Sequence, residues 1–135
     1  MSMRFDPPSL QERLVGEGRL GRVSSRGFYR CGREVAMPDV EVTPGVVLAA
    51  EAIVERLELA TVNEAYRVVE DGLALPPAID AAMRAAGYPR GPFEVVDALG
   101  LRTIIDRLRA IEAETGERSG DQYRVATLLW QMATV

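Results

Sequence analysis

The stretch from Thr43 to Asp71 constrains the fold more than any other part of the chain. Thr43 is a favourable N-cap, and Pro44 suits the first helical position because the N–H that proline lacks would have no partner there. Gly72 can adopt the left-handed conformation that ends a helix. The pattern predicts one long helix over residues 43–71, because apolar residues recur at steps of three and four: Val46, Val47, Ala50, Ile53, Val54, Leu57, Ala60, Ala65, Val68 and Val69.

This predicted helix is apolar over more than one face, because Val47, Leu48 and Leu59 widen the apolar stripe. A surface helix needs only one such stripe. We therefore expect the helix to lie in the middle of a bundle, covered on two sides by its own chain or by another copy.

Glycine, proline and capping signals predict the other helices. They span residues 10–16, where Ser9 and Glu12 are spaced as a capping box, and residues 78–86, 92–100 and 101–115, with a last helix capped by Asp121. No segment alternates as a half-buried strand does, so residues 34–42 are expected to form no sheet. The fold class is predicted to be all-α.

A segment rich in glycine and arginine covers residues 16–32. A glycine-rich phosphate-binding loop would need a preceding strand and the fingerprint GxGxxG or GxxxxGK, and this segment has neither. We interpret it as a tight connector that Phe28 and Tyr29 attach to a core.

Composition narrows the chemistry further. The chain has 135 residues, which suits one domain, and its formal net charge of −4 disfavours nucleic acid as a partner. Histidine is absent and every basic residue is arginine, which excludes histidine acid–base chemistry and lysine Schiff bases. The candidates that remain are carboxylates, hydroxyls and one thiol, Cys31, which we interpret as incidental.

No apolar run approaches the roughly 20 residues that span a bilayer, and the N-terminal residues lack a signal-peptide pattern. A single cysteine cannot form an internal disulfide, which agrees with a reducing compartment. The sequence therefore predicts a cytoplasmic protein without a membrane partner.

Two passages carry a resemblance to a known family. GRLGRVSSRGFYRCG, residues 18–32, resembles the signature GRLGRKSGRGFYRY of 3-hydroxyacyl-CoA dehydrogenases, and residues 53–101 resemble that family's C-terminal helical domain. The similarity is greatest to the second of two such domains in the longer members. Its landmarks are Asn63-Glu64-Ala65, Glu70-Asp71-Gly72, Ile79-Asp80, Gly87-Tyr88-Pro89-Arg90-Gly91-Pro92, Phe93 and Asp97-Ala98-Leu99-Gly100-Leu101.

The resemblance implies a helical bundle around one long central helix, like the C-terminal domain of 6-phosphogluconate dehydrogenase. It divides the chain into residues 1–42, with the short helix, signature loop and linker, and residues 43–135, the helical domain. In the family a separate nucleotide-binding domain supplies the cofactor site and a histidine–glutamate pair. This sequence has no βαβ pattern, dinucleotide fingerprint or histidine, so we expect no cofactor here and NAD only through a partner chain.

Family enzymes carry an asparagine–arginine pair on the long helix, where the asparagine orients the substrate; the matching positions are Glu55 and Arg56. Glu55 is either a general base or part of a charge row with Glu51 and Glu58 that pairs with a partner's arginines, and we favour the charge row. No residue is therefore assigned as catalytic. Arg56 and Arg90 are the candidates for contact with acyl-CoA.

Arg90 has an alternative interpretation, in which it pairs with Glu94 or Asp97. Asn63 and Glu64 lie in an apolar stretch, and the Asn63 amide is expected to hydrogen-bond the backbone of a neighbouring loop, such as the one at residues 88–91. The other structural or interface candidates are Tyr88, Gly91, Pro92, Phe93 and Asp97.

In the signature loop Val23 and Ser25 replace the family's lysine and glycine. Because serine lacks the conformational freedom of glycine, we expect this turn to be relaxed.

The favoured hypothesis is a stand-alone helical domain that forms a homodimer through its long helix and acts in assembly within acyl-CoA (fatty-acid) metabolism, without catalysis of its own. The alternative is a subunit that completes an NAD-dependent 3-hydroxyacyl-CoA dehydrogenase with a separately encoded nucleotide-binding chain. A third hypothesis is an acyl-CoA-binding module without chemistry.

Overall fold

The computed structural model describes residues 8–31, 36–41, 47–116 and 120–134. They fall into two compact units, a hairpin unit that ends at Val47 and a helical unit that begins at Leu48. The helices are α1 (Ser9–Gly16), α2 (Ala50–Glu70), α3 (Pro76–Ala85), α4 (Pro92–Leu99), α5 (Leu101–Thr115) and α6 (Thr127–Ala133). Two short strands, β1 (Tyr29–Cys31) and β2 (Ala36–Pro38), complete the described elements. The all-α prediction is confirmed, apart from this small sheet.

The helical unit is built around α2, which contacts α3, α4, α5 and α6. Only the half of α2 from Leu59 onward is deeply buried, so the expectation of cover on two sides holds for that half alone. The apolar core consists of Leu59, Val62, Tyr66, Val95, Val96, Ile104, Ile105, Leu108, Ile111, Tyr123, Ala126 and Leu129.

The predicted start of the long helix is wrong. Thr43 and Pro44 lie outside the described residues, and α2 begins at Ala50, after Ala49 in an extended conformation with ψ of 152°. Val47 is 91% exposed, so it lacks the tertiary packing that stabilises most helices in proteins. The predicted end is confirmed, because Gly72 has φ of 69° and its N–H donates to the carbonyl of Val69 at 3.0 Å.

The first and last residues of the other helices can be compared with those predicted from glycine, proline and capping residues. Helix α5 agrees with its prediction, whereas α3 begins earlier, at Pro76. The capping box predicted at Ser9 is wrong, because the carbonyl of Pro8 accepts from the N–H of Gln11 at 2.8 Å and Ser9 is already helical. Asp121 does not cap the last helix either, since α6 begins only at Thr127.

Strands β1 and β2 form an antiparallel hairpin in which Arg30 lies opposite Met37. The expectation of no sheet over residues 34–42 is therefore wrong. Phe28 and Tyr29 are about half exposed, so the idea that they attach the loop to a core is also wrong. The described residues of this unit bury one large apolar side chain, that of Leu14.

Arginines around one carboxylate hold the hairpin unit together instead. Arg26 Nε donates to Asp39 Oδ2 at 2.8 Å, and Arg19 Nη2 lies 3.3 Å from the same oxygen. Arg19 Nη2 also donates to the backbone carbonyls of Gly27, at 2.7 Å, and Asp39. The hydrogen bond from Arg26 lowers the pKa of the Asp39 carboxyl below its ordinary value and raises the pKa of Arg26.

The turn at Ser25 is not relaxed, contrary to our expectation. Ser25 has φ of 58°, the left-handed conformation that glycine adopts most easily, and is the one non-glycine residue with positive φ in the described part of the chain. Its carbonyl accepts from the N–H of Cys31 at 3.0 Å. Serine thus occupies a left-handed position that glycine would adopt with less strain.

Candidate functional site

Glu55 and Arg56, the two residues that the resemblance aligns with an asparagine–arginine pair, are bound to α5 of the same chain. Glu55 Oε1 accepts from Arg107 Nη1 at 2.6 Å, and Arg56 Nη2 donates to Glu114 Oε2 at 2.6 Å. The expectation that this charge row pairs with a partner's arginines is therefore wrong for Glu55, because α5 supplies the arginine.

The contact with Glu114 favours the positively charged form of Arg56. Its hydrogen bond to Glu114 raises the pKa of Arg56, so the guanidinium stays protonated throughout the working pH range. A general base needs a free lone pair within reach of the substrate proton. Arg107 contacts only Oε1 of Glu55, and the side chain of Glu55 is 44% exposed, so this contact orients the carboxylate without occupying all of its lone pairs.

Arg90 pairs with Glu58 rather than with Glu94 or Asp97. Its Nε and Nη2 lie 3.0 and 2.8 Å from Glu58 Oε1. Glu94 instead pairs with Arg84 at 2.9 Å, and Asp97 is exposed without an ion pair among the described residues. Glu51 likewise has no ion-pair partner in the described ranges.

An apolar groove opens beside the Glu58–Arg90 pair. Its volume is about 270 Å³, and its walls are the exposed part of α2 and the turn that leads into α4. Ile53, Val54 and Leu57 expose roughly half or more of their surface on this part of α2. The lining residues are Val54, Leu57, Glu58, Thr61, Val62, Met83, Tyr88, Pro89, Arg90, Pro92 and Val95.

Asn63 is fully buried, and it binds a segment other than the one we expected. Its Nδ2 donates to the carbonyls of Gln122 and Arg124 at 3.1 and 2.8 Å, and its Oδ1 accepts from the N–H of Ala126 at 2.8 Å. These bonds give the backbone before α6 partners outside a helix, which explains why α6 starts late. The expectation that the Asn63 amide binds the backbone of a neighbouring loop is therefore confirmed, but this loop precedes α6 and is not the one at residues 88–91.

Arg67 completes this polar contact. Its Nη2 donates to the carbonyl of Asp121 at 2.9 Å and also to that of Arg124, while its Nη1 lies 3.3 Å from Glu64 Oε2. A buried guanidinium must be paired and hydrogen-bonded, and here the backbone and Glu64 satisfy it. Glu64 thus forms an ion pair with Arg67 in this structure.

The turn before α4 is held by two carboxylates. Asp80 Oδ1 accepts from the N–H of Phe93 at 3.0 Å, and Glu94 Oε2 accepts from the N–H of Gly91 at 2.8 Å. A Cβ on Gly91 would lie 2.2 Å from Asp80 Oδ1, so only glycine fits beside this cap. Pro92 is buried at the first position of α4.

Phe93 packs on Tyr66, with ring centroids 5.0 Å apart. Burial raises the pKa of the Tyr66 hydroxyl, and the negative charge of Asp97 raises it further. Tyr88, in contrast, is half exposed at the groove.

Metal and membrane signals are absent from the described ranges. No group of three or more potential ligands from cysteine, aspartate and glutamate comes together there. None of the described helices is long and apolar enough to cross a membrane. Cys31 is an exposed free thiol.

Comparison with known proteins agrees with this geometry. A family model described as "3-hydroxyacyl-CoA dehydrogenase, C-terminal domain" matches residues 53–135. This chain belongs to that family. The matched residues include the turn around Asp80 and Gly91, and they also include Glu55 and Arg56.

The chain is also similar to proteins named fatty acid oxidation complex subunit alpha. It is 33% identical to that of Idiomarina loihiensis over 96% of this chain, and 29% identical to that of Shewanella sp. strain W3-18-1 over 93%. The chain spans 20% of the length of these relatives. No solved structure matches.

Sequence reasoning missed the partners of these charges. Arg107 and Glu114 of α5 belong to no sequence motif. Their side chains are exposed, whereas Ile104, Leu108 and Ile111 of the same helix are buried. Arg67 had a possible signal, because it follows Asn63 by one turn in an apolar stretch.

Proposed function

We propose that this domain serves assembly in acyl-CoA (fatty-acid) metabolism, by pairing with a second copy through the exposed apolar face of α2. We call this face, made of Ile53, Val54 and Leu57, the pairing surface. The observation that carries the proposal is that these side chains stand exposed beside an apolar groove. A protein that leaves such a surface uncovered risks association.

A symmetric pair suits this surface because Val54 and Leu57 belong both to the pairing surface and to the wall of the groove. In a two-fold dimer the pairing surface of each copy lies against that of the other, and every contact is made twice. Burying the rest of each half-exposed aliphatic side chain contributes about 1 kcal/mol. The groove wall, including Met83 and Pro89, adds to this area.

The same proposal assigns no catalysis to this chain alone. The sequence has no histidine, and the glutamate at the substrate-orienting position is engaged by Arg107. Dehydrogenation would need NAD held by a nucleotide-binding chain. We place the stand-alone domain in the cytoplasm, where the exposed thiol of Cys31 stays reduced.

Light scattering across a dilution series tests the pairing. The chain is expected to have twice its monomer mass at micromolar concentration, and Leu57→Glu to return it to the monomer mass. Leu73→Glu is the matched control, because Leu73 is 74% exposed but follows the end of α2. A monomeric wild-type chain at every concentration would contradict the proposal.

A second function is favoured by the relatives and by the position of Glu55 and Arg56. In it, the chain completes an NAD-dependent 3-hydroxyacyl-CoA dehydrogenase with a separate nucleotide-binding chain, and Arg56 and Arg90 face the acyl-CoA. Both arginines would first have to leave their glutamates. The test is NADH formation from a 3-hydroxyacyl-CoA after the two chains are mixed, and no activity at any ratio would refute it.

A further inference from the structure

A small cavity between α5 and α6 brings an indole ring close to two guanidinium groups. Its volume is about 150 Å³. Leu129 anchors α6 in the core, so the neighbouring Trp130 points away from the core and is 45% exposed. The lining residues are Arg102, Ile105, Asp106, Arg109, Trp130, Ala133 and Thr134.

The two arginines of this cavity differ from the other described arginines of the helical unit. Arg102 and Arg109 form no ion pair with a described residue, and Asp106, which lies between them on α5, is bonded to neither. The other arginines each have a carboxylate partner: Arg56, Arg67, Arg84, Arg90, Arg107 and Arg124. In a chain with formal net charge −4, the described residues thus leave two guanidinium groups at one cavity without a carboxylate partner. They can accept an anion there.

The indole ring supplies the second element of recognition. The guanidinium carbon of Arg109 lies 5.3 Å from the centroid of the Trp130 ring, which is a cation–π contact. This contact orients the ring while nearly half of the residue stays open to solvent. An open indole beside positive charge is the arrangement that stacks a nucleobase and holds its phosphate.

We propose that this cavity binds the nucleotide part of a purine nucleotide. The base stacks on Trp130, the phosphate contacts Arg102 and Arg109, and the Asp106 carboxylate accepts a hydrogen bond from an amino group of the base. Free ADP and the nucleotide parts of coenzyme A and NAD share this chemistry. The site has no lining residue in common with the groove at the pairing surface, so it does not rest on the proposed pairing.

Fluorescence tests the site directly, because Trp130 is the one tryptophan of the chain. Titration of the whole chain with ADP at low salt is expected to quench the emission saturably, with a half-point below about 1 mM. Adenosine and pyrophosphate, each carrying half of the ligand, are expected to bind at least roughly tenfold more weakly. Free tryptophan titrated in parallel corrects for absorption by the nucleotide.

Substitutions of the two arginines test whether the nucleotide binds in this cavity. Arg102→Gln and Arg109→Gln are each expected to raise the half-point by roughly tenfold, because a charge-assisted contact to phosphate is lost. Arg84→Gln is the matched control, since Arg84 is an exposed arginine paired with Glu94 away from the cavity. All three side chains are exposed, so the fold is retained, which circular dichroism verifies.

The possible outcomes distinguish between the ligands that could bind, and some of them would overturn the proposal. Tighter binding of coenzyme A or NAD than of ADP supports the site and names its source. Equal binding of pyrophosphate and ADP overturns the proposal, because the base then contributes nothing. A response that does not saturate up to about 10 mM, or one unchanged in both cavity variants, also overturns it.

Discussion

The helical unit and the hairpin unit are stabilised by different forces. The helical unit buries a contiguous set of aliphatic and aromatic side chains around the second half of α2. The described part of the hairpin unit buries one large apolar side chain, and three of its arginines contact Asp39: Arg19, Arg26 and Arg30. Apolar burial depends little on pH or salt, whereas charge-assisted hydrogen bonds near the surface depend on both. The two units should therefore respond to different perturbations.

The largest expected effect is in the helical unit. Leu59→Ala removes a side chain that is 1% exposed, and we expect it to lower the free energy of unfolding by about 3 kcal/mol. Leu57→Ala, on the same helix but largely exposed, is the control and should cost less than about 0.5 kcal/mol in the monomer. Urea unfolding of both variants measures the difference. Similar losses would mean that the two halves of α2 are equally packed.

The next effect concerns the polar contact inside this apolar unit. Asn63→Ala leaves the carbonyl of Gln122 and the N–H of Ala126 without their side-chain partner, and we expect a loss of about 2 kcal/mol. Hydrogen exchange at the Ala126 amide should accelerate more than exchange in α5.

The matched control is Asn63→Asp, which keeps an acceptor for Ala126 but removes the donors to Gln122 and Arg124. We expect it to keep the protection of the Ala126 amide better than Asn63→Ala does. If both variants unfold like the wild type, the segment before α6 is held by its own sequence and not by Asn63.

These helices show why part of the fold could be predicted. Gly72, Gly87, Gly100 and Gly116 all adopt positive φ, and the helix ends that they mark depend on a few neighbouring residues only. The family landmarks are also local in the sequence. The helix-ending glycines and the family landmarks can both be recognised without knowledge of tertiary contacts.

Features that depend on distant residues could not be predicted. The late start of α6 is caused by Asn63, which lies far away in the sequence, and the hairpin strands are too short to show alternation. For the candidate site, the resemblance placed Glu55 and Arg56, but their partners depend on how α5 is rotated against α2. The spacing of residues in the sequence does not determine how α5 is rotated against α2.

A smaller effect is expected in the hairpin unit, and it depends on pH. The folded-state pKa of Asp39 lies below its ordinary value of 3.8, so the unfolded state takes up the proton first. The contribution of Asp39 is present above that value and is lost as the pH falls through the lower, folded-state pKa. The protection factors of the Cys31 and Asp39 amides, that is, their exchange rates corrected for the intrinsic pH dependence of amide exchange, should fall between about pH 6 and about pH 2.

Asp39→Asn is the control for this pH response, because asparagine accepts a hydrogen bond but has no charge to lose. The variant should have low protection factors already at neutral pH, with little further change on acidification. Wild-type protection factors that stay constant over this pH range would show that Asp39 does not order the hairpin.

The smallest effect is expected for the ion pair at the family's substrate-orienting position. Glu55 and Arg107 each expose nearly half of their side chains, and such pairs contribute about 0.5 kcal/mol. A double-mutant cycle with Glu55→Gln, Arg107→Gln and the combined variant measures the coupling by urea unfolding. Coupling above about 2 kcal/mol would contradict this, because it would mean that the pair is desolvated and structural. A weak pair can open at little cost, so Glu55 would be released whenever a partner chain offered Arg107 another carboxylate.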